Sequence, residues 1–218
     1  MAIHRSLEKI LLAAALLNGA DARLEASNAA TERTVHVCMQ GTEGSRLVDR
    51  AQTVAGGMFE DIGITIEWHG DRRPFACALF EDQAILVTLN TWTHDPNYPG
   101  ALAYTLPYQG NHIYIFNDRV FMTAPGTFRT LPRVPVLLAH VLVHEITHIL
   151  QGISRHSASG VMKARWDTKD YLEMERKPLP FTEIDVLLIQ RGLEARQTAN
   201  ERSRYYSGID EQKKAYPR

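Results

Sequence analysis

Four residues in one short stretch, His144, Glu145, His148 and His156, are of types that bind metals and move protons. His144 and His148 are four apart, so on a helix their imidazoles share a face about one turn from each other. Two ring nitrogens so placed can take up one tetrahedral metal ion. The helix period turns Glu145 about 100° from His144. It therefore stands beside such a metal without having to ligate it, where a carboxylate can accept a proton from a metal-activated water and deliver it to a leaving amine. His156 is the next histidine, beyond Gly152, in a segment whose Ser154, Ser157, Ser159 and Gly160 read as a loop. Such a loop can return across a helix diameter of about 10 Å, because each extended residue spans about 3.3 Å. His156 is the candidate third ligand, with water left in the fourth position, the open arrangement of catalytic zinc. Glu173 and Glu175 are the alternative donors if His156 faces solvent beside Arg155.

The element carrying the pair reads P-V-L-L-A-H-V-L-V-H-E-I-T-H-I-L-Q-G from Pro135. Proline suits its first turn and Gly152 its exit. It is apolar nearly all round and must be buried. Two histidines and a glutamate in such surroundings are costly without a metal or dense hydrogen bonding. With nine histidines in 218 residues, a chance His-Glu-x-x-His is roughly a few-per-cent event. The rival to a metal is a buried His-Glu-His network. His140 extends the same stripe, but a straight helix carries it too far along the axis to be a third ligand. It reads as a rim or supporting histidine.

Around this helix, Thr34 to Gln40, Ile64 to Trp68, Ala84 to Asn90, Ala101 to Leu106 and His112 to Phe116 have strand patterns. Ala84 to Asn90 is apolar on both faces, as a central strand is. Arg46 to Ile62 has an apolar helical face and stops at Gly63. Val120 to Leu131 reads as irregular, Asp170 to Glu175 as a short helical piece, and a last helix runs from Thr182, its N-cap, to about Ala195. The expected architecture is α/β (α+β): a mixed five-stranded sheet with the histidine-bearing helix and a small C-terminal helical part.

A net charge of −1 gives no electrostatic argument for nucleic acid or an anionic membrane. Residues 1–22 have the order of a secretory signal: Arg5 and Lys9, an apolar run from Ile10 to Leu17, then Ala20-Asp21-Ala22. That run is too short to span a bilayer, which takes about 20 residues. The expected layout is a leader over 23–33, one domain over 34–197 and a polar tail over 198–218, in a secreted or periplasmic protein. Export permits a Cys38–Cys77 disulfide; two buried thiols are the alternative.

The run H-E-I-T-H-I-L-Q-G-I-S-R-H-S-A-S-G-V-M, residues 144–162, resembles the metzincin clan of zinc peptidases, most nearly its matrixin-like members. The resemblance makes His144, His148 and His156 zinc ligands, Glu145 the general base, Gly152 the helix exit and Met162 the methionine of the turn under the metal. Ala101 to Val120 looks like the family's substrate-side edge strand, its loop and the next strand. Gly152 is four residues after His148 and His156 four after Gly152, where the metzincin pattern has three at each step. The longer spacing, with the Gly160–Trp166 tail, is similar to that of uncharacterised secreted bacterial proteins. The resemblance implies a Zn²⁺-dependent endopeptidase acting on peptides or proteins. A zinc peptidase with a downstream Glu ligand and a metal-binding module without turnover are the other readings.

Overall fold

β-branched alternation makes Thr34–Gln40 the first strand, β1, with Val35, Val37 and Met39 buried. It belongs to a computed structural model that describes residues 33–41, 45–70, 77–80, 83–90, 100–107, 110–124 and 133–215, with only the backbone of Asn90 and of 203–215. The chain divides into two units, Met1–Thr34 and Val35–Arg218, and among the described residues the helices lie in the second. The expected signal over 1–22 and the leader up to 32 lie outside the described residues.

Helix α1, Arg46–Glu60, starts where the Ser45 hydroxyl accepts from the Val48 amide. It buries Val48, Ala51, Ala55, Met58 and Phe59 on one face, as its periodicity predicts. β2 is Thr65–Gly70, β3 Ile85–Asn90, β4 Ala103–Thr105 and β5 His112–Phe116. They form one five-stranded sheet in the order β2-β1-β3-β5-β4. β3 is central, parallel to β1 and β5, with Val37 opposite Ile85 and Val87 opposite Ile113. Ile85, Val87 and Leu89 are buried, while Leu86 and Thr88 on the other face are half-buried. β4 is antiparallel to β5 and ends the sheet, so the sheet is mixed, as expected.

Asn117–Thr123 forms a short helix, α2, which corrects the irregular reading of the stretch beginning at Val120. Two turns are too short to display a period, and tertiary docking of the buried Val120 decides the conformation. Helix α3, Arg133–Gln151, follows, and every residue from Leu137 to Gln151 is buried. By length and composition alone it could cross a membrane, but it is the core helix of this fold. Gly152, at φ 64°, ends it. α4 is Thr168–Met174, capped by Asp167 with a reciprocal bond from Asp170.

The last helix, α5, is Glu183–Ala215 and continues well past Ala195, where the sequence reading ended it. Apolar periodicity marks only the part of a helix that packs, so a polar continuation carries no such mark. The packed part crosses α3 closely: a β-carbon on Gly192 would overlap the Leu150 carbonyl. α1 also packs on α3, which is thus held between helices and sheet.

Cys38 and Cys77 are joined as a disulfide, with Cα atoms 5.7 Å apart. Such a bridge persists in oxidising compartments. Denatured, unreduced protein should present no titratable thiol. With its ends 39 positions apart in the chain, the bridge should be worth about 4 kcal/mol by the chain-entropy relation. The shift in denaturant midpoint of a Cys38→Ser, Cys77→Ser variant checks this.

Candidate metal centre

Helix α3 delivers two imidazoles to one place, and the backbone fixes how each presents itself. His144 Nδ1 lies 2.9 Å from the Val161 carbonyl oxygen, and His148 Nδ1 lies 3.1 Å from that of Ile153. A carbonyl only accepts, so each Nδ1 carries the proton and each Nε2 keeps a bare lone pair. Those two Nε2 atoms face each other at 3.1 Å. Two acceptors at that distance repel unless a cation lies between them. Nitrogens bound at about 2.0–2.1 Å to a tetrahedral zinc stand about 3.3 Å apart.

His156 arrives from the loop. Its ring centroid is 5.2 Å from that of His144 and 4.9 Å from that of His148. The three histidines each offer a nitrogen within 4.8 Å of the others; the helical pair is buried and His156 exposed. The longer spacing therefore still brings the third histidine in. Three imidazoles with no carboxylate are a donor set that fits Zn²⁺. Glu173 and Glu175 lie outside this group, paired with Lys177 at 3.4 Å and Arg133 at 3.1 Å.

No protein-family model matches the chain. No curated protein matches it in sequence. In structure it is similar to a zinc-dependent peptidase from Methanocorpusculum labreanum, at a TM-score of 0.51 and 10% identity over 71% of this chain and 99% of that one. The two share a fold.

The supporting contacts are specific. Ser157 N donates to the Met162 carbonyl at 2.8 Å, and Val161 N to the Pro180 carbonyl at 3.0 Å. The segment that fixes His144 is thus tied both to the His156 loop and to the approach to α5. Gly160, at φ 76°, sits where a β-carbon would overlap the Pro180 carbonyl oxygen, so the turn admits no other residue without moving. Met162 is fully buried in this turn. His140 is buried and donates through Nδ1 to the Val136 carbonyl at 2.7 Å, while its Nε2 accepts from the Leu179 amide at 3.0 Å. Both ring nitrogens are used, so it is a brace and no ligand. Trp166 stands edge-on to both His140 and His144, linking brace to site.

Sequence reasoning missed Asp185, which is fully buried on α5. Its Oδ1 accepts from the Ser157 hydroxyl at 2.6 Å and from Arg155 at 3.0 Å, so both neighbours of His156 hang on one carboxylate. Its Oδ2 accepts from Thr182 N at 3.0 Å, and the Thr182 hydroxyl accepts in return from Asp185 N at 3.3 Å. That is a capping box, and Thr182-x-x-Asp185 was its visible signal. Burial alone would raise the pKa of Asp185, but the hydrogen bonds from Ser157, Thr182 and Arg155 hold it below the ordinary carboxylate value. Asp185→Ala should leave the helical pair in place, release the loop and weaken zinc binding about 10- to 100-fold, the usual cost of a lost ligand support. Zinc titration against a competing chelator reads this directly.

Burial also sets the charge of the site. It pushes His144 down to about 3, helped by His148, and His148 down to about 4. Both are neutral near pH 7, with lone pairs free for a metal. Burial pushes Glu145 up to about 8, and no hydrogen-bond partner holds its carboxylate among the described residues. In chelator-treated protein these groups act in opposite directions on stability. The two histidines bind protons more readily when unfolded, so stability rises with pH up to about 6.5, their ordinary value. Glu145 binds its proton more readily when folded, so stability falls from 4.5 to about 8. Burial also lowers His36, His112, His140 and His156, which act in the same sense as the pair. The histidine gains therefore outweigh the one loss up to the ordinary histidine value, and the loss takes over as their titration is completed. The metal-free protein should therefore be most stable near neutral pH, and Glu145→Gln should flatten the alkaline fall. Denaturant midpoints across pH 5–8 check both statements.

Proposed function

We propose that the chain is a zinc-dependent endopeptidase of metzincin type, exported through residues 1–22 and working as a domain over 34–197. The observation that carries this is the convergence of two bare Nε2 lone pairs, at 3.1 Å, with the His156 ring beside them. His144, His148 and His156 are the ligands, and zinc, when bound, supplies Lewis acidity and water activation there.

Glu145 is the general base. Its carboxylate takes the proton of the attacking water and hands it to the departing amine nitrogen, so one group serves both halves of the reaction. Ionisation of this buried carboxyl is favoured by a divalent charge nearby. Met162 floors the ligand cluster through the Ser157–Met162 backbone bond. The substrate is an extended peptide pairing along β4, the strand that ends the sheet, as exposed edges accept added strands. The disulfide and the peptidase of similar fold support an exported hydrolase acting on peptides or proteins.

A broad peptide library, digested with zinc-loaded protein and again after chelation, tests the reading. Cleavage that stops with chelator and returns with added zinc supports it. Tight zinc binding without cleavage of any member would leave a metal-binding module instead.

A further inference from the structure

A second group of metal-type donors, separate from the α3 histidines, lies on β1 and β2. His36 projects from β1, and Glu67 and His69, two apart on β2, project from its neighbour in the sheet. His36 Nδ1 is 3.1 Å from His69 Nε2 and 3.2 Å from Glu67 Oε2. One ring nitrogen thus faces both a second imidazole and a carboxylate, at separations near the roughly 3.3 Å edge of a tetrahedral zinc site. All three side chains offer an atom within 4.8 Å of the others. The 3.1 Å nitrogen–nitrogen separation equals that of the α3 pair.

The surroundings hold these donors in place. The His36 ring stacks on Phe80 at 3.7 Å, and His69 stacks on the same ring at 5.3 Å. Phe80 is brought there by the disulfide: Cys38 is two residues beyond His36 on β1, and Phe80 N donates to the carbonyl of Cys77 at 3.1 Å. A covalent tether thus fixes an aromatic wall against two imidazoles, while Glu67 stays half-exposed at 51%. A single shared proton on His36 Nδ1 cannot serve His69 and Glu67 equally; a cation satisfies all three at once.

We propose that His36, Glu67 and His69 form a second site for a divalent transition-metal ion of the zinc class, pinning the edge strand β2 to β1. Two imidazoles and one carboxylate suit zinc, nickel or copper ions better than calcium or magnesium, which prefer oxygen. Three protein donors leave a further position for water. The site is separate from the α3 histidines and does not depend on their role.

The test is zinc stoichiometry of the full chain, stripped with chelator, reloaded with Zn²⁺ alone and read by native mass spectrometry and elemental analysis. Two zinc ions per chain are expected. Glu67→Gln, at an exposed side chain that the fold does not need, should weaken one of them at least about tenfold, and His69→Asn should abolish it. His148→Asn should remove the other ion and leave this one bound. One zinc per chain, unchanged by Glu67→Gln and His69→Asn, would overturn the proposal and leave an ordinary His-Glu-His hydrogen-bonded cluster. One zinc per chain, lost with His69→Asn but kept in His148→Asn, would uphold this site and instead overturn the zinc role of the α3 histidines.

Discussion

Glu145→Gln is expected to bind zinc as the parent does and to cleave peptides about 10²- to 10⁴-fold more slowly. The side chain is next to His144 but outside the three-histidine group, so losing its charge removes no ligand. The amide keeps the volume, so the packing of α3 is preserved. What disappears is a group able to accept a proton from water and return it to the amine. Because Glu145 is buried and its pKa is raised to about 8, the substitution also spares a desolvated ionisable group and should not destabilise the metal-free protein above neutral pH. Parallel measurement of zinc content and of kcat/KM on one cleaved peptide separates the roles. Unchanged cleavage would remove Glu145 from the chemistry, and lost zinc would make it a ligand.

His156→Ala is the second large effect. Two imidazoles from one helix hold a metal weakly, and His156 is the donor that closes the group. Zinc affinity should fall by more than the 10- to 100-fold typical of an outer support, and activity should vanish with it. The fold should survive, because His156 is exposed and its loop remains fastened through Ser157 and Arg155 to Asp185. His156→Ala and Asp185→Ala then give graded losses of the same property. If His156→Ala bound zinc as tightly as the parent, the third donor would lie elsewhere.

The parts of this site that were legible in the sequence are those with a local period. His144 and His148 sit four apart in a run whose apolar character demanded burial, and α3 spans Arg133–Gln151 around them. Gly152 marked the exit and the structure gives it φ 64°. β3 was legible as the central strand because Ile85, Leu86 and Val87 put apolar side chains on both faces, and it lies between β1 and β5. What escaped were contacts made between distant segments. Asp185 reads as an ordinary capping residue of α5, and nothing local says that it also reaches back to Arg155 and Ser157. His36 and His69 are 33 residues apart and look like outward strand residues until β1 and β2 are paired. His140 read as a supporting histidine from its place along the helix, but its partner, the Leu179 amide 39 residues away, was not legible. α2 and the polar length of α5 were hidden for the opposite reason, since neither carries a buried stripe long enough to read.

Binding of one zinc ion by the three histidines together is measured most directly in crystals of zinc-loaded protein, with anomalous data at the zinc edge. The expected result is a peak about 2.0–2.1 Å from His144 Nε2, His148 Nε2 and a ring nitrogen of His156, with the Glu145 carboxylate unbonded. A peak completed by Glu173 or Glu175 with His156 turned away, or no peak at the histidines at all, would contradict it.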